Sequence, residues 1–231
     1  MLAPINLDER FEHEIKFPMT QAEFLAWEDE DIHAEWVNGE VIIFMPATAR
    51  HQLIASFLNV LLGMYVRLLE LGQVLAAPYS MRARPDGSVR EPDLLFIATE
   101  HYGRIQRMFL DGPADLVIEI ISPTSTARDR ADKFYEYEEA GVPEYLIVDS
   151  RPGKGRIDFY TLDEKGSYQP IVADAQGRYH SRVIKGFWFR QEWLFQDEMP
   201  DPLTALGEIR GLSSAEIEML RGLLLRQNPK E

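Results

Sequence analysis

Apolar positions along the chain follow two rhythms. After Pro46, a stretch of about twenty residues places Leu53, Phe57, Leu61, Met64 and Leu68 on one helical stripe, with apolar residues on its other faces too. A helix that is apolar nearly all round is a buried one, and Gly72 is placed to close it as a C′ residue. Elsewhere the apolar runs are short and bounded by breakers. Val74–Ala77, Tyr79–Arg84, Asp93–Ile97 and Leu116–Ile121 read as strands, separated by Pro78, Pro85-Asp86-Gly87, Pro92 and Pro123. Ser125 or Thr126 caps a polar helix running to about Ala140, stopped by Gly141 and Pro143, before a strand at Tyr145–Val148. Ile157–Leu162 and Tyr168–Val172 flank Glu164-Lys165-Gly166 as a hairpin, and a further strand is expected near Arg182–Ile184.

Punctuation fixes both ends of this pattern. Thr20 followed by Glu23 is a capping box for a short helix running to about Trp27. Glu35 to Phe44 folds back at Asn38-Gly39, a strong hairpin signal. Leu212–Arg226 is an amphipathic C-terminal helix opened by Ser213 or Ser214. Strands interleaved with helices, with one strand–helix–strand unit at 116–148, predict an α/β or α+β fold.

Composition changes the picture in three ways. The 231 residues fit one main domain, and the absence of cysteine removes disulfides, thiolate zinc sites and cysteine nucleophiles together. A formal charge of −14 argues against a general nucleic-acid coat protein, since phosphate contacts need Lys and Arg. The charge is uneven: residues 1–40 hold eleven acids and two bases, whereas residues 50–90 hold five Arg and two acids. The acidic start lacks an apolar leader, and Leu53–Leu71 carries Asn59, Arg67 and Glu70, so a cytoplasmic protein with no membrane partner is expected.

Several polar residues stand where packing alone does not call for them. Glu119 interrupts Leu116-Val117-Ile118-Glu119-Ile120-Ile121, and a carboxylate inside such a strand is costly unless paired or metal-bound. A salt bridge to the neighbouring helix and a metal site both satisfy that requirement. Asp93 follows Pro92 at a strand mouth, where a turn residue is the plain alternative. Together, two carboxylates on adjacent strands make a hard-oxygen site suited to Mg²⁺ or Mn²⁺. Asp129 and Lys133 lie at i, i+4, either as a surface ion pair or with Lys133 swung over Glu119. Tyr137, one turn on, reads as packing. Glu40 ends the hairpin turn. His51 opens the long helix, whose dipole favours the neutral imidazole as base or ligand. Arg82, Arg84 and Arg90 are candidate phosphate contacts or ordinary solvated strand ends.

The chain has no Gly-x-Gly-x-x-Gly, Walker lysine loop, Gly-x-Ser-x-Gly or His-Glu-x-x-His. What it has is Glu91-Pro92-Asp93-Leu94-Leu95-Phe96, Val117-Ile118-Glu119-Ile120-Ile121-Ser122-Pro123-Thr124-Ser125, Asp129-x-x-x-Lys133 and Gly141-Val142-Pro143-Glu144-Tyr145-Leu146-Ile147-Val148-Asp149. These strings resemble the Uma-two group of restriction-endonuclease-like proteins, within the PD-(D/E)xK nuclease superfamily. The resemblance spans roughly residues 17–195, leaving an acidic segment at 1–16 and a helical extension at 196–231. It implies a mixed central sheet flanked by helices, an extra β-hairpin and a homodimer. It also implies a metal-dependent endonuclease acting on DNA, with Asp93 and Glu119 holding Mg or Mn. The lysine expected two positions after the acid is absent, since Ile121 stands there, and the resemblance assigns its role to Lys133. Glu40 becomes an extra acid at the site's edge and His51 an auxiliary polar group. The competing readings are an inactive interaction module that dimerises on the same fold, and a carboxylate-pair hydrolase acting on a non-nucleic substrate.

Overall fold

The computed structural model of the protein describes residues 15–27, 33–43, 48–121, 127–151 and 153–225, the side chains of 127–130 aside. The described part begins with β1 (Ile15–Pro18) and α1 (Gln21–Leu25), the latter opened by the expected Thr20–Glu23 capping box. The hairpin β2 (Ala34–Val37) and β3 (Glu40–Ile43) turns at Asn38 and Gly39, both with positive φ, as a tight two-residue turn demands. Helix α2 (Ala49–Leu68), β4 (Gly72–Ala76), β5 (Ser80–Arg82), β6 (Val89–Arg90) and β7 (Leu94–Ala98) follow. After a 3₁₀ turn at Thr99–Arg104 come β8 (Phe109–Asp111), β9 (Leu116–Ile121), α3 (Ala127–Glu139), β10 (Glu144–Asp149), β11 (Arg156–Leu162) and β12 (Tyr168–Pro170). The C-terminal part adds β13 (Arg178–His180), β14 (Trp188–Arg190), α4 (Gln191–Phe195), α5 (Pro202–Ile209) and α6 (Ser214–Leu224).

The central sheet has the order β12-β11-β10-β9-β7-β4. It is mixed: β9 and β10 run parallel through the α3 crossover, and the other pairs are antiparallel. A second sheet, β1-β3-β2-β6-β5-β8, carries the hairpin. Strand alternation divides the central sheet cleanly. Leu94, Phe96, Leu116, Ile118, Ile120, Leu146 and Val148 pack against α2, with Ala205, Leu206 and Ile209 of α5 in the same cluster. Leu95, Ile97, Val117, Ile121, Tyr145 and Ile147 face the other way, toward Tyr137 of α3 and Met81 and Leu110 of the second sheet. Glu119 shares the parity of this second face. Burying a side chain such as Ile54 or Leu61, both 0% exposed, contributes roughly 1.5–3 kcal/mol.

Four local expectations give way to the structure. The buried stripe of α2 runs through Ile54, Phe57, Leu58, Leu61, Leu62 and Tyr65, while Leu53 and Leu68 are exposed, because the helix presents a face rotated from the expected one. Glu70, with φ of 55°, is the left-handed residue that closes α2: Leu71 N–H bonds Val66 O and Glu70 N–H bonds Arg67 O. Gly72 instead opens β4, where a Cβ would lie 2.2 Å from the Ile97 carbonyl oxygen. The strand expected near Arg182–Ile184 is a loop between β13 and β14, and the β11–β12 pair ends at Pro170. The helix cap at Ser125 or Thr126 lies outside the described residues. No described helix is long and apolar enough to cross a membrane.

Candidate functional site

The β7–β9 register brings two carboxylates together. Leu94 pairs with Ile118, so Asp93 and Glu119 each stand one residue beyond the last pair of the ladder, close enough for their charges to act on each other. Pro92 precedes Asp93 and donates nothing to the ladder. Asp93 Oδ2 instead accepts the Ile120 N–H at 2.6 Å, and Oδ1 meets His51 Nε2 at 3.1 Å. His51 stands in the first turn of α2 behind the Thr48 cap, with Nδ1 buried and without a partner among the described residues.

Glu119 is held from α3. Lys133 Nζ donates to Glu119 Oε1 at 2.9 Å, and Tyr137 OH donates to the same oxygen at 3.0 Å. Residues 133 and 137 share a helix face, so one helix supplies both donors, and Tyr137 does more than pack. Among the described residues no hydrogen bond reaches Glu119 Oε2, and the side chain keeps 13% exposure.

Glu35, on β2, completes the cluster and escaped the sequence reading. Its Oε1 meets Lys133 Nζ at 2.9 Å and accepts the Glu91 N–H, while Oε2 accepts from Arg90 at 2.8 Å. Arg90 also forks onto both oxygens of Glu136. The signal was present: Glu35 sits between Ala34 and Trp36 on a strand, as Glu119 sits within its own, but the run is too short to declare itself buried.

The electrostatics follow from counting partners. Burial would raise the Glu35 carboxyl, yet Lys133 and Arg90 outweigh it and hold it below its ordinary value. Burial also raises Glu119, and there it prevails. Lys133 is shared with Glu35, Asp93 and Glu35 add like charge, and the carboxyl is pushed up to about 8. For His51, burial lowers the imidazole, but the hydrogen bond and charge of Asp93 raise it overall. The neutral imidazole expected from the helix dipole is therefore opposed by a carboxylate in direct contact.

The remaining sequence candidates go elsewhere. Glu40 is exposed at the start of β3, opposite Val37 and Pro18, and none of its described contacts is with Asp93, Glu119 or Lys133. Arg90, 4% exposed and locked to two glutamates, is a buried structural cation rather than a phosphate contact. Arg82 pairs with Asp111 and lies over the Phe109 ring, and Arg84 pairs with Glu139 and Asp86. The side chain of Asp129 lies outside the described residues.

The chain and its fold have relatives. Residues 21–192, about three quarters of the chain, match the family described as "Uma2: Putative restriction endonuclease". The chain belongs to the Uma2 family. Uma2 membership supports a nuclease function. Among curated proteins none matches the chain. A crystal structure titled as a "putative nuclease belonging to DUF820" from Anabaena variabilis superimposes with a TM-score of 0.63 at 15% identity, covering 77% of this chain and 98% of that one. At that identity the likeness concerns the fold, and it is a nuclease-like one.

The donor set bears on the metal that the family implies. Among the described residues no cluster of three or more His, Asp or Glu forms a ready metal cage. What Asp93 and Glu119 offer is a pair of hard oxygen donors with one carboxylate oxygen free of described bonds. That fits Mg²⁺ or Mn²⁺, since Mg²⁺ keeps several waters and is usually bound through one or two carboxylates plus substrate phosphate.

Proposed function

We propose that this Uma2 protein is a divalent-metal-dependent endonuclease that hydrolyses phosphodiester bonds in DNA. The observation that carries the reading is that Asp93 and Glu119 come together at the end of the β7–β9 ladder, with Lys133 of α3 bonded to Glu119. Asp93 and Glu119 would hold Mg²⁺ or Mn²⁺. Bound there, the cation supplies Lewis-acid polarisation of the phosphate and a more acidic water. Lys133 provides an ammonium whose place is fixed from two sides by Glu35 and Glu119, ready to steady developing negative charge. Tyr137 holds Glu119 Oε1, leaving Oε2 as the outward donor. His51 orients Asp93 through Oδ1, while the Ile120 N–H orients it through Oδ2.

Incubation of supercoiled plasmid with purified protein and Mn²⁺ tests the reading. Nicking by the native protein, lost in Lys133→Ala and in Asp93→Asn, is the expected result. Equal plasmid loss with all three proteins, or with none, contradicts it. One observation favours a second reading, an inactive interaction module: in the Glu119–Lys133–Glu35–Arg90–Glu136 chain every acid already has a cation partner within the protein. Under that reading Mn²⁺ leaves the melting temperature unchanged.

A further inference from the structure

A cavity opens beside the segments that lead to Asp93: Ala77 N–H bonds the Asp93 carbonyl, and Pro78 and Tyr79, next in the chain, line it. Arg90 turns toward Glu35 and Glu136, and Glu91 turns instead toward His33 and this cavity. Asp93 follows Glu91 by two residues, roughly 6–7 Å of extended chain, with Pro92 between them. Glu91 lines a cavity of about 360 Å³ with Phe24, Trp27, Tyr79, Arg107 and Phe109 among the walls. Four of its eleven lining residues are aromatic, against 11% of the chain. The cavity's lining is therefore richer in aromatic rings than the chain as a whole.

Those rings have partners that hold them. Trp27 makes edge contacts with Phe17 at 6.1 Å and Phe24 at 6.3 Å between centroids. Tyr79 OH donates to the Gln106 carbonyl at 2.7 Å, and the Arg82 guanidinium lies 5.3 Å from the Phe109 centroid. Each ring is thus positioned without filling the space it borders. The Glu91 carboxylate, its side chain 8% exposed, is held by His33 at 2.7 Å. A carboxylate there repels phosphate but accepts from an amino group on a flat ring. Stacking surfaces with one acceptor describe a nucleobase, and a base reaches such a pocket only when it has left its stack.

We infer that this aromatic cavity takes one unstacked nucleobase of the strand whose phosphodiester lies at Asp93 and Glu119. The inference rests on the nuclease reading and deepens it: the substrate is single-stranded or locally opened DNA. Binding of a short fluorescein-labelled oligonucleotide, single-stranded or in its duplex, is measured by anisotropy in EDTA. Trp27→Ala weakens single-strand binding roughly tenfold, Trp27→Phe keeps a ring and restores most of it, and Phe109→Leu on another wall weakens it similarly. The native protein prefers the single strand to the duplex. Unchanged binding in both Trp27→Ala and Phe109→Leu, or a preference for duplex, overturns the inference. Plasmid nicking by the native protein in that case leaves the nuclease reading standing. Ring-dependent binding without any nicking supports the cavity's role and sinks the nuclease reading instead. No binding of either DNA form overturns both.

Discussion

Two buried glutamates on neighbouring strands, Glu119 of β9 and Glu144 of β10, show why burial alone does not mark a site. Both carboxyls are raised, chiefly by burial, to about 8 and about 7. Glu144 is 0% exposed, and both its oxygens are taken: Ser181 Oγ donates to Oε2 and the Arg182 N–H to Oε1, each at 2.6 Å. Its donors are neutral and fixed by a loop, so it ties the 181–184 segment to the sheet and has nothing left to offer. Glu119 meets two donors on one oxygen and like charges nearby, and among the described residues nothing bonds its other oxygen. A satisfied acid reads as structure; a crowded, half-satisfied acid beside a lysine reads as chemistry.

The comparison is broken most forcefully by removing Lys133. Lys133→Met leaves Glu35 and Glu119 without their shared cation and lowers unfolding free energy by about 3 kcal/mol in a urea titration at pH 8. A loss below about 0.5 kcal/mol would show that the pair holds nothing together. Glu119→Gln at the same pH relieves crowding with Asp93 and Glu35 and raises stability of the metal-free protein by about 1 kcal/mol or more. Destabilisation there marks Glu119 as a plain salt-bridge partner.

Glu144 sharpens the contrast through pH. Its folded pKa of about 7 lies above the ordinary 4.5, so the folded protein holds the proton more tightly than the unfolded chain. Stability from this group is complete below about pH 4.5 and declines as pH rises to about 7, by on the order of 3 kcal/mol in all. Glu144→Gln, which keeps an acceptor for Arg182 and a donor for Ser181, flattens that part of the slope in melting curves from pH 5 to pH 7. An unchanged slope assigns it to other groups. The smallest effect belongs to Ser181→Ala, which removes one neutral donor to Glu144 and costs about 1 kcal/mol.

How far the sequence reveals this molecule depends on how local each cause is. The capping box at Thr20, the Asn38-Gly39 turn and the span of β9 are written in neighbouring residues, and the structure has all three. Asp93, Glu119 and Lys133 were legible because each breaks a local rule or sits at helical spacing. Glu35 was not, because its burial depends on Arg90 of β6 and Lys133 of α3, distant in the chain. The same distance hid the role of Arg90, whose partners lie 55 and 46 residues away. The rotated face of α2 escaped for a related reason: a helix apolar all round does not say which side meets the sheet. Short strands such as β6 and β8 exist only through their neighbours in the second sheet.

The central claim is that Glu119 is the acid that stays open for a cation and Glu144 the acid that is closed. Calorimetric titration of Mn²⁺ into the native protein, Asp93→Ala, Glu119→Gln and Glu144→Gln tests it directly. The account predicts one site in the native protein and in Glu144→Gln and none in the other two. It also predicts proton release below about pH 8, with affinity rising up to about tenfold per pH unit there. Mn²⁺ binding that survives in Asp93→Ala and Glu119→Gln, or that is absent from the native protein, contradicts it.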